Sequence, residues 1–249
     1  MENLVKQQTN GAVLELILNR PDKKNALTLA MYNELIRLLG DAEENTDVRA
    51  VLIRAEGNSF SAGNDIGDFM SVASNPDALS PVIQFLHRIA AFKKPLLAAV
   101  QGDAVGIGTT LLLHCDLVIA AGNLRCQTPF ARLGLVPEGG TTLFLPQTAG
   151  HRQAFELLVE GAPFGAERAK TLGLVNDICE PENLLEQARV RAAGIAALPP
   201  EAVQLSKAML KKTYLEQLHQ VLDDEAGLFY QRLFSDEARQ AFMAFMSKA

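Results

Sequence analysis

Residues Val13 to Leu18 form an almost unbroken apolar run that ends at Asn19-Arg20-Pro21, the pattern of a buried strand entering a turn. Behind it, Leu29, Tyr32, Leu35, Ile36 and Leu39 recur at helical spacing as far as Gly40, and Thr28 is placed to cap that helix. Ala50 to Arg54 is a second apolar run of strand length. The order then repeats with a strand over Leu96 to Val100, a glycine-rich turn, a helix over Thr109 to His114 and a strand over Leu117 to Ala120. Strands alternating with helices predict the α/β class. From Glu182 the pattern changes to helical spacing through Leu184, Leu185, Ala188, Ala192 and Ile195. Two further helical windows, Ala202 to Leu210 and Leu215 to Phe229, follow Pro199-Pro200. The chain is therefore read as an α/β core over residues 1–195 and a helical region over 196–249, whose apolar faces are free to cover the site or a neighbouring subunit.

Composition narrows the chemistry. The 249 residues are 48% hydrophobic and 21% charged, enough for one substantial core. A net charge of -6 argues against nucleic-acid binding, which needs a basic excess, so an anionic ligand must meet a local basic patch. Cys115, Cys126 and Cys179 have no CxxC spacing and read as free, buried thiols; His87, His114, His151 and His219 are scattered, so no metal site is expected. The N-terminal stretch lacks the charged-then-apolar order of a signal peptide, and no apolar run approaches the roughly 20 residues that span a bilayer. The expectation is a cytoplasmic protein; the final Ser247-Lys248-Ala249, one residue away from a peroxisomal Ser-Lys-Leu address, is the weaker alternative.

Three segments carry candidate chemistry. GNSFSAGNDI at 57–66 holds Ala62-Gly63-Asn64 in a tight stretch, where glycine lets backbone N–H groups turn toward a ligand. QGDAVGIGTT at 101–110 places Gly106 and Gly108 between a strand and a helix, and N–H groups at a helix N-terminus suit a developing oxyanion. Neither has the spacing of a nucleotide loop. In TPFARLGLVPEGGTTLF at 128–144, Glu138 stands between Pro137 and Gly139-Gly140, ahead of a helix expected near Thr141. Asp65 reads as a loop or helix-cap residue, and Glu156 and Glu160, behind His151, as a solvated face.

With NRPDKKNAL at 19–27, FSAGND at 60–65, KPLLAAVQGDAVGIG at 94–108 and CDLVIA at 115–120, the chain resembles the crotonase (enoyl-CoA hydratase/isomerase) superfamily in order and spacing, from about residue 10 to the C-terminus. The resemblance implies a spiral of repeated ββα units, and a site that binds an acyl-CoA thioester and stabilises its enolate. It implies an oxyanion hole from the backbone N–H groups of Asn64 and Ile107. It places Arg20, Lys23 and Lys24 at the phosphates of coenzyme A, Ala26 beside the pantetheine and the carbonyl of Ala62 at the adenine. Coenzyme A is then part of the substrate and no separate cofactor is expected, while trimers, often paired into hexamers, are the implied assembly. At the positions of the two glutamates of the family's hydratases stand Thr110 and Phe130, neither able to move a proton from carbon. Glu138 and the Gly63-Asn64-Asp65 triplet instead resemble the 3,2-enoyl-CoA isomerase branch, with Glu138 as a single base and Phe130, Leu133 and Leu135 as the dry wall of the acyl pocket. The segment from Ile66 to Ser80 is expected to border that pocket; Asp103 is free to approach the acyl chain, though nothing in the sequence forces it. The alternatives are another reaction of the family, such as hydration, or acyl-CoA binding without catalysis.

Overall fold

The computed structural model describes residues 3–71 and 80–246. Strand β1 (Val5–Asn10) pairs antiparallel with β2 (Val13–Leu18), and β3 (Ala50–Ala55), β4 (Leu96–Val100), β6 (Leu117–Ala121) and β9 (Asp177–Cys179) add to it in parallel, in the order β1-β2-β3-β4-β6-β9. The period of two along the strands divides their side chains between the sheet's faces. Leu14, Leu16, Leu18, Val51 and Ile53 enter the main core, with Met31, Tyr32, Leu35, Leu38 and Leu39 of α1 (Leu29–Glu44) and Phe85, Leu86 and Ile89 of α3 (Ser80–Ala91). Val13, Ala50, Leu52, Leu97, Ala99 and Ile119 face α8 (Leu184–Ala196), whose Ala188, Ala192 and Ala196 let it lie close to the sheet. Glu15, fully buried on that face, accepts from Arg54 and from Arg189 of α8, and their charges offset the cost of its burial.

The ββα repeat is visible in the stacking of three turns. After β4 comes β5 (Asp103–Val105) and then α4 (Ile107–Thr110), which tightens into a 3-10 turn over Leu111–His114. After β6 comes β7 (Arg125–Gln127) and, beyond a 3-10 turn at Ala131–Leu133, α5 (Thr141–Ala149). After β3 the chain makes only a bridge at Ser61 before α2 (Ile66–Ser71). Ser61 bridges Ala104 in parallel and Ala104 pairs with Cys126, so these three fully buried residues occupy one level of successive turns. Strand β8 (Phe164–Gly165) closes the small sheet against β7. The expected spiral of ββα units is the architecture observed.

Several elements extend or depart from the sequence pattern. Helix α1 passes through Gly40 to Glu44, because its end is set by Lys94, whose buried ammonium donates to the carbonyls of Ala42, Asn45 and Val48. The helix expected from Thr109 begins earlier, at Ile107. Cys126 is buried as expected, but Cys115 and Cys179 are only half-buried; all three are free. Of the expected wall from Ile66 to Ser80, residues 72–79 lie outside the described part. The C-terminal region comprises α9 (Pro200–Lys211), α10 (Leu215–Leu233) and α11 (Asp236–Met246). Helix α10 packs against α3 and α5, while Leu205, Met209 and Leu210 of α9 are 58%, 74% and 75% exposed. Among the described residues no helix is long and apolar enough to cross a membrane, and no His, Cys, Asp and Glu cluster could hold a metal ion.

Candidate active site

Asn64 and Ile107 occupy equivalent places in successive turns, each three residues beyond a stacked position, Ser61 and Ala104. In the first turn Leu27 N–H donates to Gly63 O and Asp65 N–H to Leu27 O, so alternation along the extended chain turns the N–H of Asn64 away from that ladder. Ile107 is the first residue of α4, and its N–H lies beyond the reach of the helix's own carbonyls. Both residues line one cavity, and neither backbone N–H has a protein acceptor among the described residues. The two turns can come together because Gly108 has no side chain: a Cβ there would sit 2.7 Å from Ser61 O. The third equivalent position, three beyond Cys126, is Pro129, which has no N–H to offer.

The loop of Asn64 is held from both sides. Tyr32 of α1 donates its hydroxyl to Asn64 Oδ1, and the phenol is buried beside Glu138, which together raise its pKa well above the usual value. Asp65 takes the Arg20 guanidinium at 2.6 Å and the Asp68 N–H at 2.9 Å, the latter as a cap on α2, so its expected local role is the one observed.

Glu138 is buried, with Oε1 accepting a 2.8 Å hydrogen bond from the Thr110 hydroxyl. Burial pushes its carboxyl up to about 7, against the Thr110 hydrogen bond, with the charge of Glu225 adding to the rise. The carboxyl reaches this place because Gly139 follows at φ +76°, where a Cβ would approach Thr110 Oγ1 to 2.8 Å. The carbonyl of Gly139 is fixed in turn by His114 Nε2 at 2.8 Å, and burial lowers the His114 pKa to about 4, so the ring is neutral. Thr110, the residue that the resemblance sets at a hydratase glutamate's position, donates instead to the Glu138 carboxylate.

Two cavities meet at this site. The smaller, of about 340 Å³, is lined by Glu138, Asn64, Val82, Leu86, Leu222 and Tyr230, with Asp223 at its edge bound to His87 at 2.8 Å. The larger, of about 1000 Å³, holds Asn64, Ile107, Lys24 and Ala62, and is walled by Phe130, Leu133 and Leu135. Asn64 and Phe229 belong to both. Phe130, Leu133 and Leu135 therefore do not form the wall around Glu138 that the sequence suggested. They lie on and around the 3-10 turn at Ala131–Leu133 and line the other cavity, and α3 and α10 supply the apolar wall at Glu138 instead. Helix α10 belongs to the C-terminal region that the sequence left free to cover the site, whereas α3 was not singled out, because its sequence separation from Glu138 hides the contact.

The basic loop is similarly redistributed. Arg20 is largely buried and spends its guanidinium on Asp65 and on the Ala26 carbonyl at 3.1 Å, which makes it a brace of the loop. Lys23 is exposed and Lys24 lines the larger cavity, where it pairs with Asp103 at 2.9 Å; Asp103 faces this cavity and not the one at Glu138. Arg125 and Arg132, which the sequence did not single out, add cationic groups to the same cavity. Asn25, buried at φ 54°, holds the loop's shape by accepting from Arg20 N–H and donating to the carbonyls of Glu56 and Ser59.

Comparison with known proteins places this architecture. The enoyl-CoA hydratase/isomerase family matches residues 8–249. Enoyl-CoA delta isomerase 2 of Rattus norvegicus is 33% identical over 96% of the chain, and the alignment covers 62% of that protein, so the chain spans under two thirds of this relative's length. The 2,3-dehydroadipyl-CoA hydratase of Escherichia coli K12 is also 33% identical, over 95% of the chain and 92% of its own. The structure of Pseudomonas aeruginosa OdaA superposes with a TM-score of 0.94 at 44% identity, covering 98% of this chain and 99% of that one. The chain belongs to the enoyl-CoA hydratase/isomerase family, the crotonase superfamily.

Proposed function

We propose that the protein is an enoyl-CoA isomerase that moves a 3-enoyl-CoA double bond to the 2-trans position with one base. The observation that carries this reading is Glu138, a buried carboxyl at about 7 facing an apolar cavity that adjoins the two unpartnered N–H groups. A base whose pKa lies near the working pH both takes and returns a proton efficiently. Asn64 and Ile107 N–H hold the thioester oxygen. The Glu138 carboxylate takes a proton from the α carbon, and the electrons of that C–H bond pass through the thioester to give a dienolate with its charge on oxygen. The dienolate collapses with its new double bond between the α and β carbons, while the Glu138 carboxylic acid returns the proton to the γ carbon. Each fixed N–H contributes on the order of 3 kcal/mol when the charge develops. The apolar walls of α3 and α10 favour the neutral acid and exclude the water that hydration requires. Lys24, Arg125 and Arg132 at the larger cavity supply the local positive charge that an anionic coenzyme A moiety needs on an acidic chain.

Glu138→Gln keeps the shape and the Thr110 hydrogen bond but removes the base. Turnover of 3-hexenoyl-CoA is expected to fall by about 10²–10⁴-fold, with loss of α-proton exchange in deuterated buffer. Full turnover in Glu138→Gln would refute the assignment. Hydration of 2-hexenoyl-CoA faster than isomerisation by the unaltered protein points to the hydratase alternative, and thioester affinity without proton exchange points to a binding protein.

A further inference from the structure

Glu225 is a buried carboxylate on α10 that the one-base mechanism does not use. Its oxygens accept from the N–H of Gly140 at 2.7 Å, the N–H of Thr142 at 3.0 Å and the hydroxyl of Thr142 at 2.6 Å. Gly140 is the residue that precedes α5 and has no side chain with which to cap it, so the first N–H groups of this nine-residue helix are satisfied from another element. All three partners are donors. Burial raises the Glu225 pKa, and the hydrogen bonds from Thr142 and Gly140 act against that rise. The two backbone N–H groups can only donate, so they and the positive end of α5 favour the anion. The turn thus clamped begins with Glu138 itself, whose carbonyl accepts from the Thr141 hydroxyl at 2.9 Å. Two turns of α10 bracket Glu225 with Leu222, Ala226 and Phe229, which line the cavity that Glu138 faces.

We propose that Glu225 is a positioning residue for the base: as an anion across the N-terminus of α5 it fixes the 138–142 turn and keeps a second negative charge behind the Glu138 carboxyl. The inference rests on the reading of Glu138 as the base. The effect of the second charge is to make Glu138 a stronger base than burial alone does, in agreement with the direction of the Glu225 contribution to its pKa. The other groups that face Glu138 do not supply such a charge. Thr110 and the Tyr32 phenol are neutral, His114 bears on the Gly139 carbonyl as a neutral ring, and Asp223 is 60% exposed and bound to His87, which itself meets His219 at 2.6 Å. The clamp also ties the base to the helix that walls the acyl cavity, so base and acyl wall move together.

The test is the pH profile of kcat/KM for 3-hexenoyl-CoA in Glu225→Gln, alongside Glu138→Gln and a thermal melt of each. The acid limb is expected to move down by about one pH unit on loss of the like charge, with kcat reduced about tenfold and KM little changed. An acid limb that stays in place in folded Glu225→Gln, whatever the loss of rate, overturns the inference and leaves a plain helix cap. If Glu225→Gln does not fold, Glu225→Asp decides: the charge is kept but drawn back by one methylene, so kcat should fall with KM unchanged and the limb should move down in part. Wild-type kcat and limb in that variant overturn the proposal. Full activity in Glu138→Gln removes the base itself, and loss of activity there with an unmoved Glu225→Gln limb removes only the clamp.

Discussion

At the scale of single residues, the carboxyl proposed as the base should also cost the protein stability. The Glu138 carboxyl titrates at about 7 when folded and near 4.5 when exposed, so between those values the folded state holds a proton that the unfolded state has lost. Its contribution to stability is complete below about 4.5 and is lost as the pH rises through about 7. Glu138→Gln, neutral at every pH and still able to accept from Thr110, is expected to be more stable than the unaltered protein at pH 8 by about 1–3 kcal/mol, and no more stable near pH 5. Urea unfolding at the two pH values measures the difference; equal stability at pH 8 would mean that the carboxylate is solvated. The sequence made Glu138 visible because Pro137 and two glycines frame it. Thr110 as its donor, Tyr32 on Asn64 and Glu225 on Gly140 were hidden, since each pairs residues 28, 32 and 85 positions apart and nothing in local spacing encodes which distant side chain arrives. The pairing of Arg20 with Asp65 was hidden for the same reason, its partner lying 45 residues away.

Elements were legible where burial imposes a period. The strands β2, β3, β4 and β6 are apolar runs, interrupted only by the paired Glu15 and Arg54, because both faces are covered, as the parallel sheet demands. Strand β1 was missed because only Val5 is buried among its six residues, leaving a polar edge strand with no pattern to see. Helix α10 was visible as a helix, but its place as a wall of the Glu138 cavity, and so its proposed contact with the acyl chain, depends on its docking to α3, which sequence spacing does not fix. The wall can be tested at Gly227, which lines the smaller cavity and where an added Cβ meets nothing within 4 Å. Gly227→Leu is expected to raise helix stability by up to about 1 kcal/mol while filling part of the roughly 340 Å³ beside Glu138. Turnover of 3-dodecenoyl-CoA should then drop at least about tenfold relative to 3-hexenoyl-CoA, as expected when a side chain displaces several methylenes. A higher melting temperature with an unchanged ratio of the two substrates would place the acyl chain elsewhere.

For the whole molecule, the unresolved question of the sequence was what the C-terminal helices cover, since a face that closes the chain's own core and one that meets a neighbour read alike. In the structure the two helices differ in what they bury. Helix α10 buries Leu218, Leu222 and Leu233 in the main core, whereas α9 buries only Lys207, whose ammonium binds Asp116 at 2.6 Å and the Lys94 carbonyl at 2.7 Å. That polar anchor holds α9 to the body and leaves Leu205, Met209 and Leu210 outward, with Val190 and Leu198 also exposed. Adjacent exposed apolar side chains on one helix are more than a soluble surface requires, and in this chain they lie away from the Glu138 cavity. Self-association through this face is the expected use, in a closed ring such as a trimer, which satisfies every copy of the face. Leu205→Glu combined with Met209→Glu places two charges four residues apart on that face and touches none of the buried core. The double variant should keep the helical content and melting behaviour of an isolated subunit while its mass by light scattering falls to that of one chain. An unaltered protein that is monomeric at micromolar concentration, or a double variant of unchanged mass, would leave α9 exposed for some other reason and confine the role of the C-terminal region to the wall that α10 builds over Glu138.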